Sequence, residues 1–149
     1  MNRLCDEAQS ILETTDIQSN CQLFKGWWSI KDCQKNKNSI FVFGDNDRGF
    51  GKKGQAVIRD CKNSHGIPTK KYPSFADTSY YTDDEYEENV SKIIDAVEDL
   101  IIKYGQFNSD RIFFPEDGLG TGLSKLDTKA PRTLEFLNHL LSEVFGIEY

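Results

Sequence analysis

Apolar residues recur along the chain with two spacings, one typical of helices and one typical of buried strands. Residues 3–14 carry apolar side chains at three- and four-residue steps, which predicts a helix. The segment 15–38 is mostly polar and has neither spacing, so we expect it to be irregular. The adjacent Trp27 and Trp28 would point in opposite directions from an extended backbone. We expect both rings to pack; the alternative is that one packs while the other covers a ligand.

Two segments with apolar runs, at 39–43 and 110–115, predict buried strands. The first is apolar on both faces, as in a central strand that is covered on both sides. The segment 66–70 predicts a further extended segment. Pro68 favours the edge of a sheet for it, because proline cannot donate to a central ladder. A short helix is expected at 55–60.

The clearest helical pattern runs from Thr82 to Tyr104. Thr82 and Glu85 have the spacing of a capping box, and Gly105 suits the position just after the last turn. A last helix is predicted from Pro131, because proline is favoured in a first turn.

Strands that alternate with helices indicate the α/β class. We expect a three-layer α/β/α sandwich with a mixed central sheet. Neither repeats nor a linker interrupt the pattern, so residues 1–149 are predicted to form one domain. In this interpretation, residues 1–38 contribute a helix and an irregular segment, and residues 39–149 form the core that carries the function.

Charge narrows the classes of ligand. Eighteen basic and twenty-four acidic residues give a net charge of −6, which argues against a general binder of nucleic-acid backbones. A small anion held by backbone amides remains compatible with this charge, because that mode of binding needs no basic surface.

Metal-binding patterns are missing from the sequence. The four cysteines form no CxxC pair, so we expect no zinc site and reduced thiols. His65 and His139 have no ligand-spaced partners, so neither a metal nor a cofactor is expected. Residues 1–7 contain no long apolar run, and we therefore expect no signal sequence, no membrane partner and a cytoplasmic location.

Each of the two buried strands is followed by a glycine-rich loop. The first glycine loop spans residues 44–56, and the second spans residues 116–122. In open α/β sheets, ligands bind beyond the carboxyl ends of the strands. Glycine lets phosphate oxygens come close to backbone N–H groups, so two such loops side by side would suit a phosphate or a diphosphate.

Two common nucleotide motifs fit poorly. No GxxxxGK[ST] sequence is present, which argues against a P-loop. A literal GxGxxG occurs at 49–54, but it begins well after the strand, and the segment 66–70 ends in Lys70 where a dinucleotide-binding fold would have an acidic residue. A Rossmann fold is therefore the less favoured alternative.

The ordered motifs FGDN (43–46), GQA (54–56), GIPTK (66–70) and DGLGTG (117–122) resemble macro domains. They are more closely similar to small phage and bacterial proteins of macro-like type. The resemblance extends over about residues 38–145. It implies an α/β/α sandwich that binds ADP-ribose or a related nucleotide, with hydrolysis of an ADP-ribosyl bond as the associated chemistry. For a phage protein, the compartment would be the host cytoplasm.

The resemblance also implies roles for individual residues. Asn46 corresponds to the asparagine that contacts the ribose beside the scissile bond. The glycines of the first loop would follow the distal ribose and diphosphate, and those of the second loop would wrap the diphosphate. The usual Asn-Ala-Ala-Asn is replaced here by residues 43–46, and no residue matches the acid that reads the adenine amino group.

The candidate catalytic residues are Asn46, Asp45 and Asp117, with either carboxylate assisting a water molecule. The candidate ligand-binding residues lie in the two loops: Gly44, Asp45, Asn46, Gly49, Gly51, Gly54, Gln55, Gly118, Leu119, Gly120, Thr121 and Gly122. Turn formation is the alternative role for the polar residues at 45–47. Local positive charge at Arg48, Lys52 and Lys53 is expected either to attract an anion or to be solvated.

Three functions therefore remain open. The first is a nucleotide-binding hydrolase. The second is a non-catalytic binder that sequesters a nucleotide signal or reads an ADP-ribosylated partner. The third is a protein-interaction module that uses an acidic helix face, with Asp83, Asp84, Glu87, Glu88, Asp95 and Asp99. The sequence leaves the oligomeric state open.

Overall fold

The computed structural model describes residues 4–149. The strands are β1 (Cys21–Phe24), β2 (Ser39–Asn46), β3 (Ser64–Lys70) and β4 (Arg111–Pro115). The helices are α1 (Asp6–Thr14), α2 (Ile30–Lys35), α3 (Tyr86–Gln106), α4 (Leu126–Lys129) and α5 (Pro131–Phe145). Short 3₁₀ helices are Gln18–Asn20, Gly54–Ile58, Asp77–Ser79 and Asp83–Glu85.

The four strands form one sheet in the order β1-β4-β2-β3. The α/β class is confirmed. Every strand pair of the sheet is parallel, whereas a mixed sheet was expected. The one antiparallel pairing in the described chain is an isolated bridge between Lys70 and Tyr80. β3 lies at an edge, as Pro68 predicted. All carboxyl ends of the strands therefore meet along one side of the sheet.

Helices cover both faces of this sheet. On β2, Ile40 and Val42 face a larger core made with α1, α3 and α5. Phe41 and Phe43 face a smaller core made with α2 and the 3₁₀ helix Gly54–Ile58. Side chains of β2 thus point alternately to the two faces of the sheet, and each face packs against its own helices, as the predicted three-layer sandwich requires.

The segment 15–38 is not irregular, because it contains β1 and α2. β1 is an edge strand of four partly exposed residues, and it is too short to show a strand pattern. α2 has six residues, which is too few for helical periodicity. It begins at a capping box, because Ser29 and Asp32 accept from each other's backbone N–H groups.

The predicted ends of α3 also differ from the structure. Thr82 makes no side-chain cap, and Glu85 pairs with Lys71 instead of reaching back. α3 continues through Gly105 to Gln106. Gly105 packs closely on α1, where a Cβ atom would lie 2.9 Å from Cδ1 of Ile11. Packing against a neighbouring helix therefore explains this glycine better than helix termination does.

The remaining elements agree more closely with the sequence pattern. α1 and α5 lie where they were predicted, although residue 3 lies outside the described residues. The helix expected at 55–60 is the shorter 3₁₀ helix Gly54–Ile58. The four cysteines are free thiols, as expected. Within residues 4–149, no helix has the length and apolar character needed to cross a membrane.

Candidate functional site

A cleft lies at the carboxyl ends of the parallel strands, where the chain segments that follow all four strands converge. It consists of a large cavity of about 500 Å³ and a small cavity of about 250 Å³. The large cavity is lined by residues that include Trp27, Gln55, Asp117, Gly120, Thr121 and Gly122. The small cavity is lined by residues that include Asp45, Asn46, Phe50, Gly51, Lys70 and Phe75. Gly44, Lys53, Leu123 and Ser124 line both cavities, so the two adjoin.

Gln55 joins the two glycine loops. Its side-chain Oε1 accepts from the backbone N–H of Gly44 at 2.8 Å, and its Nε2 donates to the carbonyl of Gly118 at 3.0 Å. The loops approach closely here, because a Cβ atom on Gly44 would lie 3.6 Å from the backbone nitrogen of Gly120. Gln55 lines the large cavity, but both ends of its amide are already used within the protein.

Asp45 forms an ion pair with Arg59, whose Nη2 lies 2.5 Å from Oδ1 of the carboxylate. Both side chains are mostly buried, with exposed fractions of 17% and 14%. The same oxygen accepts from the backbone N–H of Asn46 at 2.7 Å. Gly66 on β3 makes room for this carboxylate, because a Cβ atom there would lie 2.5 Å from Oδ2. Asp45 is therefore built into the sheet edge as a structural ion pair.

The side chain of Asn46 stabilises the turn that follows β2. Its Oδ1 accepts from the backbone N–H groups of Arg48 and Gly49, at 3.0 and 3.1 Å, and its Nδ2 donates to the carbonyl of Phe50 at 2.9 Å. Asp47 accepts from Tyr81 and from Lys92 of α3. The turn role that was the alternative for residues 45–47 is thus the role their hydrogen bonds have in this structure.

The second glycine loop contributes backbone donors with no partner. Within residues 4–149, none of the backbone N–H groups of residues 119–124 donates a hydrogen bond to another part of the chain. Five of these residues line the large cavity, namely Gly120, Thr121, Gly122, Leu123 and Ser124. Residues 121–123 are exposed at the cleft, so this part of the loop is open to a ligand that accepts hydrogen bonds.

The glycines of this loop have different structural constraints. Gly120 has φ +82°, and a Cβ atom there would lie 2.8 Å from Cδ2 of Leu126. Only glycine fits at this position. Gly122 has an ordinary φ, and no atom lies within 4 Å of the position that a Cβ atom would take, although Gly122 lines the large cavity. A methyl group at residue 122 would therefore extend into open space at the cleft.

Asp117 lies in the large cavity, and its carboxylate accepts no hydrogen bond within the described chain. Asp45 and Asn46 line the small cavity instead. The three predicted catalytic side chains therefore lie along one cleft but in two different cavities. Of the other predicted binding residues, Gly51 and Gly54 line the cleft.

Three predicted binding residues lie outside both cavities. Leu119 is buried in the larger core. Gly118 contributes its carbonyl to Gln55, and Gly49 contributes its N–H to the turn at Asn46.

Aromatic residues at the rim are the part of the site that the sequence pattern missed. Trp27 is 85% exposed and lines the large cavity, whereas Trp28 is buried and donates from Nε1 to the carbonyl of Val42. The expectation that both rings pack is thus wrong for Trp27. Phe50 and Phe75 are also exposed and line the small cavity. Trp27 follows β1, which the sequence pattern did not reveal, whereas Phe50 and Phe75 follow strands whose alignment in the sheet the sequence does not show.

A family model described as "Family of unknown function (DUF7831)" matches residues 23–140. The match begins within β1 and ends in α5, so it includes β2, β3, β4 and both glycine loops. No curated protein and no solved structure matches the chain.

Proposed function

The chain belongs to the family of unknown function DUF7831, and we propose that it binds ADP-ribose or a closely related nucleotide in the cleft at the carboxyl ends of its strands. The resemblance of its two glycine loops to those of macro domains supports this proposal, and so does the chemistry of the cleft. The proposed role is binding, without hydrolysis.

The unpartnered N–H groups of residues 119–124 are the observation that carries the proposal. Phosphate oxygens are strong acceptors, and consecutive backbone amides in a glycine-rich loop form a concave site for them. Because the donors are backbone groups, this site can hold an anion on a protein whose net charge is −6.

The shape of the cleft suits a ligand with two ends and a charged centre. The residues shared by the two cavities are Gly44, Lys53, Leu123 and Ser124, which supply amides, a hydroxyl and an ammonium group. We place the diphosphate there, with the adenosine in the large cavity and the distal ribose in the small cavity. In the large cavity, Trp27 offers a face for a base, and Asp117 offers an acceptor for its amino group.

Binding without hydrolysis follows from the hydrogen bonds of the catalytic candidates. Asp45 is held by Arg59, the amide of Asn46 is held by its own turn, and Asp117 lies in the other cavity. A general base must reach the water that attacks the anomeric carbon. No candidate carboxylate in this arrangement is both unpaired and next to Asn46.

Calorimetric titration of the full chain with ADP-ribose tests the binding proposal, with AMP and ribose 5-phosphate as the two halves of the ligand. We expect ADP-ribose to bind more tightly than either half, because both cavities are then filled. Trp27 provides a second signal, since its fluorescence should change on binding and Trp27→Phe should remove that change. An absence of heat and of any fluorescence change at millimolar ADP-ribose would overturn the proposal.

Turnover is tested separately with an ADP-ribosylated peptide or oligonucleotide, by following release of free ADP-ribose. We expect no release above the rate without protein. Release that Asp117→Asn abolishes while ADP-ribose affinity is kept would instead establish the hydrolase function and make Asp117 the base.

A further inference from the structure

Four lysine side chains converge on two aromatic rings beside the small cavity. The Nζ atoms of Lys70, Lys125 and Lys129 lie 4.8, 5.7 and 5.3 Å from the centre of the Tyr80 ring. Lys70 and Lys53 lie 5.1 and 5.8 Å from the centre of the Phe75 ring. We call these four residues, Lys53, Lys70, Lys125 and Lys129, the lysine cluster.

Pairing separates the lysine cluster from other basic residues around the cleft. Lys52, Arg59, Lys71 and Lys92 each form an ion pair with a carboxylate, whose partners are Asp60, Asp45, Glu85 and Asp47 respectively. Within residues 4–149, no member of the lysine cluster forms such a pair. The only hydrogen bond from its ammonium groups in the described chain is a long one of 3.5 Å from Lys70 to the carbonyl of Leu123.

Lys70 is the buried member of the lysine cluster. Only 6% of this residue is exposed, although it ends β3 at the cleft. Burial lowers the pKa of its ammonium group, and the nearby charge of Lys125 lowers the pKa further. Cation–π contacts offset only part of this cost. An unpaired cation that is retained in a buried position beside like charges is better explained by a ligand than by stability.

The lysine cluster adjoins the proposed nucleotide site. Lys53 and Lys70 line the small cavity together with Ser124, and Lys125 directly follows the unpartnered amides of residues 119–124. We propose that the lysine cluster is a subsite for a phosphoryl group additional to the diphosphate. This group is either a further phosphate of the bound nucleotide or a free phosphate ion, and the inference rests on the proposed function for the nucleotide that it adjoins.

A phosphoryl group matches the arrangement of charges. Lysine binds phosphate as a flexible point charge, and a dianion at the cluster would neutralise more than one ammonium group. The cluster is compact around two rings, whereas a site that follows a polynucleotide needs charges spread along a groove. A single phosphoryl group therefore fits better than a nucleic-acid backbone.

The test compares Lys125→Gln/Lys129→Gln with the wild type and with Lys31→Gln/Lys35→Gln. The control pair has the same four-residue spacing, lies on α2 and is exposed. Thermal unfolding checks folding first. The double variant of the cluster should unfold at the same temperature as the wild type or higher, because the substitutions remove like-charge repulsion and no ion pair.

Calorimetry then measures two sets of affinities. Inorganic phosphate is titrated into the protein saturated with ADP-ribose. In separate titrations, the affinity for ATP is compared with that for ADP, and the affinity for NADP⁺ with that for NAD⁺. We expect phosphate to bind, or the more phosphorylated nucleotide of a pair to bind more tightly, in the wild type and the control. The cluster variant should bind phosphate, or the more phosphorylated nucleotide, about tenfold more weakly, which is the scale of one charged hydrogen bond. Affinity for ADP-ribose itself should not change.

The outcomes separate the two proposals. Binding of inorganic phosphate alone identifies a free ion as the ligand, and a nucleotide preference identifies a phosphate on the nucleotide. If ADP-ribose does not bind but the binding of inorganic phosphate still requires Lys125 and Lys129, the proposed function is wrong and the subsite stands. Equal affinities of the wild type and the cluster variant for every probe would overturn the subsite.

Discussion

At the scale of single residues, the cleft depends on side chains that hold backbone in place. Gln55 is the clearest example, because one amide joins the two glycine loops through Gly44 and Gly118. The sequence predicts a ligand contact for Gln55, and its hydrogen bonds instead make it a positioning residue. Asp45 and Asn46 likewise have their hydrogen-bonding groups used inside the protein.

Gln55→Glu is expected to destabilise the protein and weaken nucleotide binding. The substitution keeps the size of the side chain but replaces the N–H donor facing the carbonyl of Gly118 with an acceptor. Leaving one buried carbonyl unpaired costs about 1–3 kcal/mol. Urea unfolding measures the change, with Gln34→Glu as a control at an exposed position. Equal unfolding free energies of Gln55→Glu and the wild type would show that the hydrogen bonds of Gln55 to the two loops contribute little to stability.

Substitutions at the two glycines of the second loop should separate folding from binding. Gly120→Ala should lower the free energy of unfolding by about 1–3 kcal/mol, because φ is positive and Leu126 leaves no room for a methyl group. Gly122→Ala should leave stability unchanged but weaken ADP-ribose binding, because its methyl group extends into the cleft. Thermal unfolding and calorimetry on both variants check this, and unchanged ADP-ribose affinity of Gly122→Ala would argue against a diphosphate at this loop.

At the scale of elements, α5 receives its N-terminal cap from a distant part of the chain. Asp83 accepts from the backbone N–H groups of Arg132 and Thr133, at 2.9 and 3.0 Å, and from the hydroxyl of Thr133. The sequence offers Asp83 as part of an exposed acidic face for a partner protein. Its carboxylate is used instead to join the start of α3 to the start of α5.

Asp83→Ala should lower the free energy of unfolding by about 1–2 kcal/mol, the usual worth of an N-cap. Asp84→Ala is the matched control, since Asp84 is exposed and makes no side-chain hydrogen bond in the described chain. Chemical unfolding of both variants measures the difference. A loss of the same size at Asp84 would point to general charge effects of the acidic segment.

The sequence predicted the elements that have strong periodicity and missed those that depend on tertiary contacts. β2, β4, α3 and α5 have long apolar patterns, and each was located to within a few residues. β1 and α2 are short and partly exposed, so they depend on contacts with β4 and with the smaller core. Neither has an apolar periodicity, and the capping box of α2 is its one local signal. For the site, the glycine loops were visible as sequence, but pairings such as Asp45 with Arg59 needed the folded chain.

At the scale of the whole molecule, the larger core contains a histidine contact that depends on pH. Burial lowers the pKa of His65 from its ordinary value of 6.5, and its Nε2 lies 2.8 Å from the carbonyl of Ala96 on α3. The unfolded chain therefore binds more protons than the folded protein as the pH falls below 6.5. The free energy of unfolding should decrease over that range.

His65→Gln should make stability less dependent on pH between about 7.5 and about 5.5, because this range includes the titration of an unperturbed histidine. Glutamine can still donate to the carbonyl of Ala96. His139→Gln, at an exposed position on α5, should keep the full dependence of the wild type. Urea midpoints at the two pH values measure it, and identical changes in all three proteins would assign the effect to other groups.

The strand order has a consequence for how the protein folds. β4 lies between β1 and β2, although most of the chain precedes it. The cleft therefore forms only after this late segment has been inserted into the middle of the sheet, which is a slow kind of contact to form. A nucleotide bound as we propose, across the loops after β2 and β4, would recognise only the finished sheet. We therefore expect the nucleotide to slow unfolding and to leave the rate of folding unchanged.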